Sequence, residues 1–326
     1  MKRRIFLGIL LSSTIAMGVL GAGATVARAA SKEIAYITPS LSVSFWRYVA
    51  SGVEAGAKEG GYSTVTLDSN NDGQTQLKNA QDAIARGVAG IVISPTDSST
   101  APSVLDLAAK AGIPVVICDI GTESGDYASF VTSDNPGGAR AIGDAAAAVL
   151  KEKGWTDGSF GIIAIPQARK NGQARTKGFR EAMAAIGMTK EVPMQQMQTF
   201  TADESFRFAQ DMLTANPDLR IIFVQSDQQA IGAYRAVVAA RKADSVLVAA
   251  FDGTPELLQS IRDGKIVGSG MQQPYLMGKT SAEALSKTLS GGAPEKDVLV
   301  PIMAVTSSNA DENLDTIKLN VFANDL

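Results

Sequence analysis

The 326-residue chain contains no histidine and a single cysteine. Without histidine it lacks the usual general base and every Ser-His-Asp or Cys-His nucleophile system. With one cysteine besides, most zinc sites are short of ligands. Cys118 cannot form an internal disulfide, and its place in the apolar run Pro114 to Cys118 marks a buried small hydrophobe rather than a reactive thiol. Aromatic residues make up only 6%, and no basic run is interleaved with them, so nothing speaks for nucleic acid. After the N-terminal segment no stretch of 18 or more apolar residues speaks for a membrane span.

What is present is a chain 45% hydrophobic, long enough to bury about two ordinary cores. Residues 1–30 are expected to belong to neither. Lys2, Arg3 and Arg4 form a basic start, Ile5 to Leu20 an apolar run, and Ala27-Arg28-Ala29 a small-x-small cleavage site. Together they read as a secretory signal peptide cut after Ala29 or Ala30. Arg3-Arg4 also resembles a twin-arginine signal; the ordinary secretory route is the expectation. Cleavage removes four basic residues and no acid, so the formal net charge moves from -3 to -7. No cysteine stands at the cleavage site, which argues against a lipid anchor. The mature protein is expected to be soluble and periplasmic.

From Glu33 onward, short apolar runs alternate with helical patterns. Strands are predicted at Ile34 to Thr38, Thr64 to Asp68, Gly90 to Ser94 and Pro114 to Asp119. Helices are predicted at Phe45 to Gly60, Thr75 to Arg86 and Ser99 to Ala111. Ser129 to Thr132 adds a short strand. After Asp134 to Gly138 the pattern restarts, with strands at Phe160 to Ile165, Met194 to Phe200, Ile221 to Gln225 and Val246 to Phe251. Helices alternate with them at Ala174 to Ile186, Asp203 to Ala215, Asp227 to Arg241 and Glu256 to Asp263. Gly268 to Gln272 reads as one more strand, Pro274 to Ser290 as one more helix, and Val298 to Val305 as a last extended segment. Such βα repeats in tandem predict an α/β protein of two doubly wound parallel sheets.

The stretch Val246 to Ile261 shows where function should lie. Its apolar start reads as a strand buried on both faces, and it stops abruptly at Asp252. Thr254 then suits a helix N-cap and Pro255 the first helical position. Asp252 therefore ends a buried strand, which in open α/β sheets is where ligands bind. Asp119 ends another. Phe45, Trp46, Phe200, Ser226 and Gln272 also follow strands. Carboxylates accept hydroxyl donors, and an aromatic face covers the C–H face of a pyranose, so the inventory suits a polyhydroxylated ligand. Taken singly, an Asp at a strand end is more often a helix cap and a Phe or Trp more often core. For Asp227, directly before a helix, the cap is the expectation. For Asp119 and Asp252, which end strands in different halves, ligand contact is.

Several stretches together then resemble one family. They are IAYITPSLSVSFWRYVASGVEAGAKEGGY from Ile34, TLDSNND from Thr66, IVISPTDSST from Ile91, IPVVICDI from Ile113, TSDNPGGARAIGD from Thr132, IFVQSDQQAIGAYRAV from Ile222, VAAFDGTPE from Val248 and GMQQPYLMGK from Gly270. They occur in the order found in the ribose-type periplasmic substrate-binding proteins of bacterial ABC sugar transporters, the type I periplasmic binding protein family. The resemblance implies two Rossmann-like lobes joined by a three-crossing hinge, the first of residues 31–134 plus 273–301, the second of 135–272 plus 302–326. It implies that Phe45, Trp46 and Phe200 sandwich a sugar-like ligand while Asp119, Arg175, Asp252 and Gln272 hydrogen-bond it. Arg175 is placed by Arg-x-x-Gly-Phe at Arg175 to Phe179. Ser226 stands where the ribose binders have Asn, and Ile120 where they have Arg. The latter leaves two or more carboxylates against one guanidinium, which points to an amine-bearing ligand, a polyol or a larger sugar rather than ribose. No cofactor and no catalytic residue is implied. The partners are the ligand and an inner-membrane ABC permease, with a membrane chemoreceptor also compatible and the protein expected to be a monomer.

Two other readings are weaker. A carboxylate-pair glycosidase could use Asp119 and Asp252, but a binder presents the same pair. Sugar-responsive repressors share the fold but carry a DNA-binding segment where this chain has its export signal. Three motif fragments are set aside. Gly21-Ala22-Gly23 lies in the signal peptide. Gly278-Lys279-Thr280 lacks the first glycine of a phosphate loop. Asp68 to Gly73 starts like a calcium loop but has Asn79 at its twelfth position, so no metal site is expected.

Overall fold

The computed structural model describes residues 31–325; the predicted signal peptide, residues 1–30, lies outside them. The chain opens with β1 (Glu33–Thr38), α1 (Ser44–Glu59), β2 (Ser63–Asp68), α2 (Gly73–Arg86), β3 (Gly90–Ile93), α3 (Ala101–Lys110), β4 (Val115–Cys118) and β5 (Ser129–Ser133). It continues with α4 (Asn135–Glu152), β6 (Ser159–Ala164), α5 (Lys170–Ala184), β7 (Lys190–Glu191), β8 (Gln195–Gln196), α6 (Ala202–Ala215), β9 (Leu219–Val224), α7 (Asp227–Ala239), β10 (Leu247–Phe251) and α8 (Pro255–Arg262). After β11 (Gly268–Met271) come α9 (Pro274–Leu289), β12 (Asp297–Val300), β13 (Met303–Thr306) and α10 (Leu314–Thr316), which runs into a wide turn at Ile317–Val321.

The strands form two sheets, ordered β12-β5-β4-β3-β1-β2 and β13-β11-β10-β9-β6-β7, with β8 beside β6. All pairs are parallel except β11 with β13. In each sheet the strand order reverses once, between β1 and β3 and between β6 and β9. Such a reversal opens a crevice at the carboxyl ends of the strands, because the two flanking loops leave toward opposite faces. The chain passes between sheets after β5, after β11, and between β12 and β13.

Each sheet is covered on both faces, as its continuous apolar strands require. In the first, Tyr36, Val92 and Val116 face α1 and α9, while Ile37, Ile91 and Ile117 face α2 and α3. In the second, Phe179 of α5 stacks on Phe223 of β9 at 4.4 Å, and the opposite face packs Ile222, Val224 and Val248 against α6 to α8. The α1/α9 packing is a backbone contact: a Cβ on Gly52 would lie 2.0 Å from the Tyr275 carbonyl oxygen. Only glycine admits that approach.

Three predicted elements differ. Asn135–Glu152 is an 18-residue helix where the sequence reading showed only a restart; Asp134 caps it by accepting from the Gly137 N–H. Met194 to Phe200 is not a full strand but only the two-residue β8, and Phe200 at the end of the stretch takes a left-handed backbone, φ 54°. The last extended segment is two strands, β12 joining the first sheet and β13 the second. The N-terminal details of α8 agree with the sequence: Thr254 accepts from the Leu257 N–H and Pro255 occupies the first turn.

Candidate functional site

The carboxyl ends of both sheets face a common cavity of about 360 Å³, and Phe45, Trp46, Asp119, Arg175, Phe200, Ser226, Asp252 and Gln272 all line it. From the first sheet, the β1–α1 loop brings Ser40 and Ser42, hydrogen-bonded to each other at 2.8 Å. The first turn of α1 brings Phe45 and Trp46, set edge to face at 4.8 Å. Asp119 follows β4 with φ 67°. Its N–H donates to the Val131 carbonyl at 2.8 Å, so the turn aims the side chain off the end of the sheet. Aspartate tolerates this left-handed backbone better than most residues.

From the second sheet, Asp252 follows β10 in the same conformation, φ 64°, its N–H donating to the Gly270 carbonyl at 3.0 Å. One carboxylate oxygen accepts from Gln272 Nε2 at 2.8 Å and the other from an Arg175 terminal nitrogen at 3.2 Å. Arg175 also donates to Asn135 Oδ1 and to the Gln225 carbonyl, each at 2.8 Å. Its guanidinium lies 4.0 Å over the Phe251 ring. Both charged groups are buried, a geometry in which removing one partner strands the other.

The pairing of Asp119 is looser. Oδ2 accepts from Asn171 Nδ2 at 3.0 Å, and Oδ1, although buried, has no hydrogen-bond partner. Burial pushes its carboxyl up to about 6, against the pull of Arg175. Asp252 is also raised by burial, opposed by Arg175. Gln272 Oε1 is a second buried acceptor without a partner.

Arg169 escaped the sequence reading. It precedes α5, is 4% exposed, lines the cavity, and sits 5.2 Å over the Phe200 ring. Its Nε donates to the Thr96 carbonyl at 2.8 Å and a terminal nitrogen to Asn71 Oδ1 at 2.7 Å. Burial lowers its pKa to about 10. The cavity lining thus holds two carboxylates against two guanidiniums, not one. Ile120, where the resemblance suggested that a charge had been lost, is fully buried in the apolar core. Asn71 and Asn171 were also missed; Asn71 reads as part of a strand-to-helix turn, Asn171 carries no local signal, and only the fold brings them to the cavity.

Asp227 does not line the cavity. It occupies the first turn of α7 behind Ser226, and its Oδ1 accepts from the Gln228 N–H at 2.6 Å. Its Oδ2 is buried without a partner. Burial, then the nearby negative Asp252, push its carboxyl up to about 7. The cap expectation is half right: Asp227 serves the helix N-terminus from inside the first turn, and Ser226 holds the cap position without a side-chain hydrogen bond. Asp72, from the calcium-like stretch, is a helix cap, accepting from the Thr75 N–H at 2.7 Å. Among the described residues no helix is long and apolar enough to cross a membrane.

A cavity between the ends of two doubly wound sheets, with aromatic walls and buried acceptors and donors, has the shape and lining suited to a small polar molecule. Comparison with known proteins agrees. Residues 34–293 match the family model of the periplasmic binding protein domain. The ribose import binding protein of Salmonella typhimurium is 33% identical over 281 residues, 86% of this chain and 93% of that one. A carbohydrate transporter solute binding protein of Agrobacterium radiobacter, solved in complex with D-arabinose, superimposes with a TM-score of 0.82 at 26% identity, covering 90% of this chain and 99% of that one. The Caulobacter myo-inositol binding protein, solved with myo-inositol, gives 0.79 at 27% identity, covering 88% and 97%. With its two sheets, its cavity and these relatives, the chain belongs to the ribose-type periplasmic binding proteins of ABC sugar transporters.

Proposed function

We propose that the chain is exported and captures a neutral polyhydroxylated ligand, a sugar other than ribose or a cyclic polyol, and hands it to an inner-membrane permease. The observation that carries this reading is the mixture of unmet hydrogen-bonding capacity in the cavity. Asp119 Oδ1 and Gln272 Oε1 are buried acceptors without partners, while Arg169 and Arg175 keep N–H groups with no protein partner among the described residues. A buried polar group left unpaired costs about 1–3 kcal/mol, so a ligand that both donates and accepts recovers the most. Hydroxyl groups do both. Two guanidiniums balancing two carboxylates remove the electrostatic case for an amine. Phe45, Trp46 and Phe200 are suited to cover the apolar faces of a ring. The arabinose and myo-inositol relatives support a ligand of this size and kind.

In this reading, residues 31–134 with 273–301 and residues 135–272 with 302–326 are lobes that close on the ligand. The eight residues predicted from sequence contact it, and Arg169 makes a ninth. The protein works as a monomer that binds and releases without chemical turnover. Presentation to a chemoreceptor would use the same closed form.

The test is a thermal-shift panel on refolded mature protein with pentoses, hexoses, amino sugars, polyols and cyclitols. A ligand at 100 times its dissociation constant adds about 2.7 kcal/mol, which raises the melting temperature by several degrees. A neutral sugar or cyclitol should give the largest shift. Ribose or an amino sugar shifting it as far as any neutral hexose or cyclitol would overturn the ligand assignment.

A further inference from the structure

The end of the β6–α5 loop and the start of α5 are tied to the first sheet's loops at every residue from Ala168 to Asn171. The Ala168 carbonyl accepts from the Ser98 N–H at 3.4 Å. Arg169 bridges the Thr96 carbonyl and Asn71 Oδ1. Lys170 donates its N–H to Ser98 Oγ at 3.2 Å and its Nζ to the Thr122 carbonyl at 2.6 Å. Asn171 donates to Asp119 at 3.0 Å. These partners sit on the loops after β2, β3 and β4, so one four-residue segment of the second sheet's side grips three loops of the first. All six bonds are made by the protein's own groups.

We propose that Ala168 to Asn171 is a closing strap, with Arg169 as its positioning residue, that gives the ligand-free protein a measurable closed population. The proposal rests on the reading of the cavity as a cleft between moving lobes. A ligand shifts an open–closed equilibrium only by its preference for the closed state. Protein–protein bonds across the cleft set where that equilibrium starts. Arg169 suits this role because its rigid planar fork presents two donors in fixed directions, one to a backbone carbonyl and one to a side-chain amide, whereas a lysine offers a single compact ammonium on a flexible stem. Asn171 joins the strap to Asp119, so the carboxylate that faces the cavity is also a strap partner. Opening would free the Asp119 carboxylate completely, and closing leaves only Oδ1 for a ligand donor.

The experiment measures distance distributions by electron spin resonance between labels at Lys78→Cys and Lys177→Cys, exposed positions on α2 and α5. The native Cys118 is buried and stays unlabelled. Refolded, ligand-free protein should show a short-distance component. Arg169→Ala and Arg169→Lys should each lower the ratio of that component to the long one by at least tenfold. Asn71→Gly, which accepts the left-handed backbone at φ 57° but removes the acceptor, should lower it by severalfold. Asn71→Asp should raise it, since the neutral acceptor of the guanidinium becomes a carboxylate and the bond becomes an ion pair. A ligand-free distribution unchanged by Arg169→Ala and by Asn71→Asp overturns the strap, whatever happens to affinity. Arg169→Lys matching wild type also overturns it, because charge rather than the bridge would then hold the lobes. Failure of the sugar reading shows separately, as a wild-type distribution that no member of the ligand panel narrows.

Discussion

Asp119 and Asp252 occupy equivalent places in the two sheets, and their surroundings differ. Each follows a buried strand one place removed from the reversal of strand order, each takes a left-handed backbone, and each turns a carboxylate toward the same cavity. Asp252 is held from its own side, by Arg175 and Gln272. Asp119 has one partner, Asn171, reached from across the cleft, and one bare oxygen. Repetition of the βα pattern fixes where the carboxylates stand, and the neighbouring loops decide what each can do. Asp252 serves as a fixed part of the second sheet's wall. Asp119 stays available to whatever enters.

The largest expected effect breaks the fixed side. Asp252→Asn keeps the shape and the backbone tolerance but leaves the Arg175 guanidinium buried without its carboxylate. Loss of one member of a buried pair costs about 3–5 kcal/mol. Affinity for the panel's best ligand should fall at least a hundredfold and the ligand-free melting temperature by several degrees, read by calorimetric titration and thermal unfolding. A folded variant with full affinity and stability would remove Asp252 from both roles.

Asp119→Asn should separate the two quantities. Affinity should fall at least tenfold, because an amide accepts weakly where a carboxylate accepted strongly. Stability should stay level or rise, because the native state no longer holds a buried charge whose pKa burial has raised to about 6. Equal losses of stability in the Asp119 and Asp252 variants would erase the distinction between the two sites.

How much of this was legible follows the same division. Strand ends could be read because an apolar run that stops at a carboxylate is a local pattern, so Asp119 and Asp252 were visible without any fold. Helix α4 was not: Gly137, Gly138, Gly143 and a run of alanines blur its apolar stripe, and its identity comes from packing on α5 and β11. Arg169 was hidden for a different reason. In Gln-Ala-Arg-Lys-Asn it looks like any solvated loop residue, and its partners Thr96 and Asn71 lie 73 and 98 positions away in the chain. Counting charges from the sequence consequently missed half of the positive charge in the cavity and kept an amine-bearing ligand in play beside a polyol or larger sugar.

A smaller effect comes from pH. If ligand hydroxyls donate to the ionised Asp119, binding requires a carboxylate that protonates below about 6. Affinity should hold from pH 8 to 7 and then fall, by about tenfold one pH unit below that value, since each unit changes the ionised fraction tenfold. The Asp119→Asn variant should show no such fall. Wild-type affinity that stayed flat to pH 5 would mean that the ligand does not lean on this carboxylate.

The smallest expected change isolates the third buried acid. Asp227 is pushed up to about 7 by burial and by the negative Asp252, yet it does not line the cavity. A carboxyl raised in the native state binds its proton more tightly there than in the unfolded chain. Its contribution is therefore fully present below the unfolded value of about 4 and is lost as pH rises toward 7. Asp227→Asn removes that slope. The variant should match wild type only at about pH 4 and below, gain on it as pH rises, and exceed it by a few degrees of melting temperature near pH 8, while affinity for the best panel ligand stays within twofold. The Asp119 variant should show the reverse: affinity lost and the upper part of the stability slope, between about 6 and 7, retained. A drop in affinity for Asp227→Asn would show that the first turn of α7 reaches the ligand together with Ser226. The second sheet would then present two working carboxylates to the first sheet's one.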